Sequence, residues 1–442
     1  MKKIYISFAS LVILLFIFIT LLLQDSQNKF TLKIKSSIPK EVRFFLKNTI
    51  NHFIYSFDIN LKFINKYNIA SSNGVIFDIV EYNNKLLDYQ GPRAYLGLED
   101  KNIFLVTGTG LVSYSKIDSL LENKNFKFKI LKSNLKEIIK YDDFYLNSNY
   151  GIKGILVSGQ NIYLSFSNEE SKDCINISVI KSKINLNKLE FSYLFKSNQC
   201  VKKNNPYGEF QPIQSGGVMY DFDDDNFLLT TGEFRFRDLA QDDNSIFGKI
   251  LLINKNNGEY RIISKGHRNA QGLFYDRDKN IILSTEHGPF GGDEVNINKN
   301  IFNRNNYGWP ISSYGEHYPK MAPKNAYDKA PLYKSHSKYG FIEPVKYFVP
   351  SIGISQIIKV DDPFNHINNN NYFFSSMGYP DRVEAQSIHH LVFDKNYDKV
   401  IYEDKIKINH RIRDIIFIPQ LKIVVGYLEK RGSIIIITKN EK

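Results

Sequence analysis

A hairpin-like pattern that recurs six times constrains the fold more than any other feature of the sequence. Each instance has an apolar strand, a polar turn, an Asn or Lys, and a second apolar strand ending in Thr, Ser or Gly. The polar anchors are Asn102, Asn161, Asn226, Asn280, Asn371 and Lys422. Their spacing, about 50 to 65 residues with one interval of about 90, is typical of propeller blades.

This repetition predicts an all-β fold, a six-bladed β-propeller over residues 95–442. A lone four-stranded sheet cannot bury both of its faces, whereas six sheets around one axis bury them against one another and leave few exposed edges. Loops at one end of the central channel would then form a natural site. A pair of sheets packed as a β-sandwich is the competing all-β interpretation.

The N-terminus predicts a membrane anchor within residues 1–24. Lys2 and Lys3 precede a charge-free, largely apolar run, Ile4 to Leu23, whose roughly 20 residues would cross the membrane as a helix. The run does not end in the small residues of a cleavage site, so an uncleaved transmembrane helix is favoured over a signal peptide. By the positive-inside rule the two lysines stay in the cytoplasm. In a bacterium, this predicts a single-pass inner-membrane protein with its propeller in the periplasm.

Residues 25–94 carry no recognisable motif. Pro39 to Phe53 has the apolar spacing of an amphipathic helix, with Pro near its start. The strand-like pieces after it could close the last blade or pack beneath the propeller.

The two cysteines, Cys174 and Cys200, flank two strand-like segments, as if joining the ends of a hairpin. In an oxidising compartment such a pair favours a disulfide, which would stabilise the fold by about 3 kcal/mol. Two buried free thiols are the alternative.

Charge and motifs exclude several function classes. The net charge is +12, yet Lys and Arg are dispersed rather than clustered, so no nucleic-acid partner is predicted. The sequence has no P-loop, no G-x-S-x-G, no H-E-x-x-H and no complete dinucleotide-binding loop. These absences disfavour nicotinamide dehydrogenases, serine hydrolases and zinc proteases.

The best candidate site lies in three successive motifs, GHRNAQGLFYD, STEHGPFGGDEVN and NNYGWP. The polar residues that they place on loops are Arg268, Asn269, His287, Asp293 and Glu294. Neighbouring glycines allow a ligand to approach the backbone closely. Taken singly, each residue is explained as well by a tight turn.

Taken together, these motifs resemble the glucose/sorbosone dehydrogenase family of six-bladed propellers that depend on pyrroloquinoline quinone (PQQ). Members of that family carry GHRNPQGL, EHGP-x-GGDE and NYGWP in this order. The resemblance is strongest from Gly266 to Pro310 and extends in outline from Gly216 to Tyr427. It implies an oxidoreductase that oxidises the anomeric carbon of a small-molecule sugar by hydride transfer to PQQ.

The resemblance also implies cofactor contacts. Arg268 and Asn269 match the pair that contacts the quinone, and Arg411 and Arg413 in the RIRD segment match residues that hold the cofactor's carboxylates. Guanidinium groups suit this task because they bind carboxylates in paired, planar geometry.

A calcium ion that bridges to PQQ is implied as well. Its ligands would include the carbonyls of Gly288 and Pro289, since hard cations prefer oxygen. His287 and Asp293 match positions that line the cofactor and sugar pocket.

Two departures from the family pattern concern catalysis. The family's H-x-G-G-R-L appears here as QSGGVM, which puts Gln214 at the position of the catalytic histidine. An imidazole can accept the proton of the anomeric hydroxyl, whereas an amide cannot, and losing a general base typically costs about 10²- to 10⁴-fold in rate. Gly378 stands where such dehydrogenases often have a lysine.

Three explanations of the missing histidine are open. His287 or Glu233 could act as the base, because a dry pocket raises the pKa of a carboxylate. The substrate could need less demanding proton chemistry. Alternatively, the propeller is catalytically degenerate and binds a sugar, a related ligand or a protein partner without oxidising it.

Overall fold

The computed structural model describes residues 58–84, 87, 93–121, 125–147, 149–205, 209–318 and 330–440, together with residues 37–39 and 42. The expected membrane helix, Ile4 to Leu23, lies outside these residues, as does most of the expected helix from Pro39 to Phe53. Within the described ranges, no helix is long and apolar enough to cross a membrane.

Strands are the main regular secondary structure of the described chain. The first are β1 (Ile59–Ala70), β2 (Ile76–Asn83), β3 (Ala94–Glu99), β4 (Asn102–Thr107), β5 (Val112–Lys116), β6 (Phe126–Ile130) and β7 (Lys132–Ser133). They are followed by β8 (Ile152–Ser158), β9 (Asn161–Ser171), β10 (Cys174–Lys183), β11 (Lys188–Leu189), β12 (Ser192–Lys196), β13 (Val201–Lys202), β14 (Gly216–Asp221), β15 (Asn226–Thr231), β16 (Lys249–Asn254) and β17 (Tyr260–Lys265).

The remaining strands are β18 (Ala270–Asp276), β19 (Ile281–Glu286), β20 (Asp293–Asn298), β21 (Asn305–Asn306), β22 (Lys346–Phe348), β23 (Ile354–Lys359), β24 (Asn371–Ser376), β25 (Ser387–Phe393), β26 (Val400–Lys407), β27 (Ile412–Ile418), β28 (Ile423–Leu428) and β29 (Ser433–Lys439). Two short helices, α1 (Leu135–Ile138) and α2 (Asp142–Leu146), lie between β7 and β8. The all-β prediction is confirmed.

Each of the six repeated hairpins is an antiparallel strand pair. Four of these pairs belong to sheets in the orders β8-β9-β10-β12, β14-β15-β16-β17, β18-β19-β20-β22 and β23-β24-β25-β26. The other two belong to one nine-stranded sheet, β27-β28-β29-β2-β1-β6-β5-β4-β3. The first strands of the hairpins, β3, β8, β14, β18, β23 and β27, each contact the next, and β27 contacts β3. The innermost strands therefore form a ring.

Strands from the segment without a motif join the two ends of the chain. β2 pairs antiparallel with β29, and β1 pairs with both β2 and β6. Of the two placements that the sequence left open for this segment, the structure has the one that completes the last sheet. The pairing also covers edges of β29 and β6 that would otherwise expose unpaired backbone groups.

Apolar side chains from neighbouring sheets pack face to face. Phe373 of β24 and Ile415 of β27 share one buried cluster, and Leu228 of β15 shares another with Leu273 of β18. Strands such as β28 are consequently buried on both faces.

Cys174 and Cys200 form a disulfide. It links the start of β10 to the residue before β13, which also pairs with β10. Of the two alternatives that the sequence left open, the disulfide is the one found.

Candidate active site

The candidate residues collect at one end of the ring. In an antiparallel hairpin the first strand starts where the second strand ends. Gln214 precedes β14, Arg268 precedes β18, and His287 follows β19. Arg411 and Arg413 stand at the start of β27, so all these positions face the same end.

A small cavity lies among these loops; we call it the loop pocket. Its wall combines guanidinium groups, carboxylates and aromatic rings. These side chains belong to Arg235, Arg237, Arg268, Glu209, Glu233, Trp309 and Tyr318. Gln214, Pro289 and His317 also line it.

Gln214 bridges a carboxylate and a guanidinium group. With its amide oriented to satisfy both atoms, the nitrogen donates to Oε1 of Glu233 at 2.8 Å and the oxygen accepts from Nη2 of Arg268 at 2.8 Å. Oε2 of Glu233 is buried and has no hydrogen-bond partner among the described residues. Burial raises the pKa of Glu233 to about 7, against the opposing effects of Arg268 and Arg237.

Arg268 holds two loops together. Its Nη1 donates to the carbonyl oxygens of His287 at 3.0 Å and Gly288 at 2.7 Å. Its backbone N–H donates to Oε1 of Glu286 at 2.8 Å. The guanidinium also lies 5.3 Å from the ring centre of Trp309, a favourable cation–π distance.

Arg411 and Arg413 both bind the carboxylate of Glu429, which lies at the end of the last hairpin and was not identified from the sequence motifs. Nη2 of Arg411 donates to Oε1 of Glu429 at 2.9 Å, and Nε of Arg413 donates to Oε2 at 2.5 Å. Burial alone would raise the pKa of Glu429, but Arg413, Arg411 and Arg93 bring it to about 2. This carboxylate therefore stays ionised and fixes both guanidinium groups.

Gln271 connects the two groups of arginines. Its Oε1 accepts from Nη1 of Arg413 at 3.2 Å, and its Nε2 donates to Oδ1 of Asn269 at 3.2 Å. Asn269 Oδ1 also accepts from the backbone N–H of Gly216 at 3.1 Å. The side chain of Gln271 thus bridges Asn269 and Arg413.

A second small cavity lies among the innermost strands and includes Lys153 and Arg413 in its wall. Nζ of Lys153 donates to the carbonyls of Asn149 and Pro212. Burial, together with the charges of Arg93 and Arg413, holds the pKa of Lys153 well below its usual value. Lys153 thus lies within electrostatic reach of two arginines at this end of the ring.

Gly217 of the QSGGVM segment makes room for this lysine. Its φ is +106°, and a Cβ added there would lie 2.2 Å from Cβ of Lys153. A side chain at the second glycine of the motif would therefore clash with Lys153. The sequence offered no signal that would identify Lys153.

His287 and Asp293 are committed to backbone contacts. Nε2 of His287 is 2.5 Å from the carbonyl oxygen of Ile354. Burial lowers the pKa of His287, and Arg268 and Arg413 lower it further, against the effect of Asp293.

Asp293 is 1% exposed and does not line the loop pocket. Its Oδ1 accepts from the N–H of Gly288 at 3.0 Å. Its Oδ2 accepts from the N–H groups of Ile352 at 2.9 Å, Gly353 at 2.6 Å and Ile354 at 3.1 Å. We interpret Asp293 as a positioning residue that ties the loop after β19 to the loop before β23.

One of the two expected calcium ligands, the Gly288 carbonyl, is already engaged by a cation, and calcium binding stays a prediction. The Gly288 carbonyl already accepts a hydrogen bond from the cationic Arg268. A Ca²⁺ at its usual distance of about 2.3 to 2.6 Å would bring a second positive charge to the same oxygen. Among the described residues, no three His, Cys, Asp or Glu side chains are grouped to hold a metal.

Replacing Asp293 should destabilise the protein because four buried N–H groups would lose their acceptor. We expect Asp293→Ala to lower the free energy of unfolding by about 3 kcal/mol or more. Asp278, whose side chain is 85% exposed, supplies the matched control, Asp278→Ala, with an expected change below about 0.5 kcal/mol. Urea unfolding measures both, and equal midpoints would contradict the assigned role of Asp293.

Comparison with known proteins identifies relatives in sequence. The chain is 32% identical over 197 residues to the uncharacterized protein slr1608 of Synechocystis sp., which covers 42% of this chain and 43% of that protein. It is 26% identical over 247 residues to aldose sugar dehydrogenase YliI of Escherichia coli, which covers 51% of this chain and 58% of that protein. The chain thus spans about half the length of these relatives.

Solved structures share the fold. The soluble aldose sugar dehydrogenase of Escherichia coli in its apo form superposes with a TM-score of 0.60 at 20% identity, covering 78% of this chain and 96% of that one. The PQQ-bound aldose sugar dehydrogenase of Streptomyces coelicolor gives a TM-score of 0.53 at 16% identity, covering 78% of this chain and 94% of that one.

The family assignment rests on the length of one match. Residues 110–436 match the family described as glucose/sorbosone dehydrogenase, a range that contains all three site motifs and most of the ring. The resemblance seen in the motifs is therefore confirmed, and the chain belongs to the glucose/sorbosone dehydrogenase family.

Proposed function

We propose that this protein is a six-bladed propeller that oxidises the anomeric carbon of a sugar with PQQ as hydride acceptor. The ring of innermost strands supports the blade count, and family membership supports the chemistry. The observation that carries the proposal is the convergence of Arg268, Arg411 and Arg413, which are far apart in the chain, at the loop end of the ring.

PQQ has the charge that these cations require. It is a tricarboxylate, and the proposed contacts come from Arg268, Asn269, Arg411 and Arg413. Glu429 holds the last two guanidinium groups in place before any ligand arrives. A bound polyanion would also relieve the repulsion that lowers the pKa of Lys153. When bound, PQQ would supply the two-electron acceptor that the chain itself lacks.

Glu233 is the side chain best placed to replace the missing histidine. As hydride leaves C1 of the sugar, the proton of the C1 hydroxyl must pass to a base. Gln214 holds one oxygen of Glu233 and leaves the other without a partner. A pKa near 7 suits a base at neutral pH. His287 is a weaker candidate, because burial and two arginines lower its pKa.

A degenerate propeller that binds a sugar without oxidising it is the second candidate. The contact of Arg268 with the Gly288 carbonyl favours it, because that contact disagrees with the family's calcium site. Assays of sugar oxidation distinguish the two functions. If the wild-type protein and a Gln214→His variant are both inactive, the binding function is favoured.

We also propose that residues 4–23 anchor the protein in the bacterial inner membrane with the propeller in the periplasm. The Cys174–Cys200 disulfide supports an oxidising compartment.

The cofactor proposal predicts a loss of PQQ affinity when a guanidinium group is removed. Arg413→Gln should weaken PQQ binding roughly 10- to 100-fold, as expected for a charged hydrogen bond. Arg277→Gln, whose parent side chain is 64% exposed, is the matched control and should bind as the wild type does. Calorimetric titration of PQQ measures both, with and without Ca²⁺. No binding heat from the wild type in either condition would contradict the proposal.

The base proposal predicts a change in the pH profile. A base must be deprotonated, so kcat of the wild type should rise through about pH 7 and level off above it. Glu233→Gln should lower kcat by about 10²- to 10⁴-fold and remove this limb. Glu259→Gln, at an exposed glutamate, should leave the profile unchanged. Reduction of an artificial acceptor dye by aldoses measures kcat, and full activity of Glu233→Gln would exclude this carboxylate.

The localisation proposal predicts that the full chain fractionates with membranes. Protease added to spheroplasts should degrade the propeller while a cytoplasmic marker stays intact. A chain lacking residues 1–24 should lose its membrane association. Recovery of the full chain in the soluble cytoplasmic fraction would overturn the proposal.

A further inference from the structure

Among the described residues, Arg235 differs from the other arginines of the loop pocket in making no side-chain hydrogen bond or ion pair. Arg237 pairs with Glu209, and Arg268 binds Gln214 and two carbonyls. The guanidinium of Arg235 lies 5.4 Å from the ring centre of Tyr318, and Glu209 and Glu233 attract it without contacting it. A partly buried cation thus stands in the pocket wall with an aromatic face beside it and, in the described part of the chain, no carboxylate in contact.

The backbone beside Arg235 is strained. Phe234 and Arg235 have φ values of 51° and 75°, in the left-handed region that non-glycine residues seldom adopt. Two hydrogen bonds hold this turn: Phe234 N–H donates to the Gln214 carbonyl at 2.9 Å, and Phe236 N–H donates to the Glu233 carbonyl at 2.7 Å. Phe234 is fully buried. Such strain persists where the surroundings enforce it, and it clusters at ligand sites. Here it accompanies a side chain in the pocket wall.

Charge in the loop pocket favours an anion. Arg235 and Arg268 line the same cavity, and burial and the charge of Arg268 both lower the pKa of Arg235. Glu209 is engaged by Arg237, and the neighbouring Glu233 titrates near neutrality. Partly desolvated like charges are unfavourable without a counter-ion, so an anionic group bound between them would be stabilised.

The walls of the pocket limit the ligand. The rings of Trp309 and Tyr318 supply apolar faces in the same wall. The planar guanidinium fork binds carboxylates and phosphates through two parallel hydrogen bonds.

We propose that the loop pocket selects a sugar that carries an anionic substituent, a carboxylate or a phosphate, and that Arg235 binds that substituent. This inference rests on the proposed function, since it places the sugar in the loop pocket. It makes Arg235 a specificity residue and leaves the oxidation chemistry to other residues.

The test compares three sugars that differ in charge: D-glucose, D-glucuronate and D-glucose 6-phosphate. Calorimetry on the wild-type protein should show tighter binding of at least one anionic sugar than of glucose, by about tenfold or more. Added salt should reduce this preference, because it screens a partly exposed charge pair. The two anionic sugars distinguish a carboxylate from a phosphate site.

Arg235→Gln should weaken binding of the preferred anionic sugar by roughly 10- to 100-fold and glucose binding much less, so that the preference for the anionic sugar is lost. The matched control is Arg261→Gln, since Arg261 also stacks on an aromatic ring, Phe302, at 4.3 Å, but lies outside the loop pocket. It should bind all three sugars as the wild type does. Arg235→Lys keeps the charge and loses the planar fork, so an intermediate loss is expected if Arg235→Gln does not fold.

The outcomes separate this inference from the proposed function. Glucose binding as tight as that of both anionic sugars overturns the inference and leaves sugar oxidation standing. Equal losses for neutral and anionic sugars in Arg235→Gln also overturn it, because Arg235 would then be structural. A wild-type protein that binds none of the sugars and no PQQ overturns both.

Discussion

The pairing of β2 with β29 is the constraint on which the site depends. It joins the two ends of the chain into one sheet, so the innermost strands form a ring rather than an open row. Only in a ring do the starts of β14, β18 and β27 face a common centre. Arginines that lie far apart in the chain are then gathered at one end of the ring, where we propose that they bind an anion.

The protein supplies its own counter-ions to keep these cations in order. Glu429 fixes Arg411 and Arg413, Glu286 accepts from the backbone of Arg268, and Asp293 ties two loops to each other. Because these carboxylates fix side chains and loops at this end of the ring, a ligand would meet a preorganised site. Asp293 can be buried because backbone N–H groups satisfy both of its oxygens.

Gln214, where the family resemblance implies a histidine, makes a contact that fits this arrangement. The amide connects Arg268 to Glu233, and burial raises the pKa of that carboxylate to about 7. A carboxylate that can titrate near neutral pH therefore lies in hydrogen-bond contact with Gln214. Arg235 lies two residues after Glu233, and we propose that it recognises charge on the ligand.

Sequence alone determined the repeated hairpins, the all-β class and the family, because each depends on local periodicity or on contiguous motifs. It also singled out Arg268, Asn269, Arg411 and Arg413. It did not identify Glu429, Lys153 or Gln271, since their importance lies in contacts between strands distant in the chain. Closure by β2, the partner of Arg268 at Gly288 and the isolation of Arg235 were decided only by the tertiary structure, because charge balance in a buried cavity depends on which side chains the ring brings together.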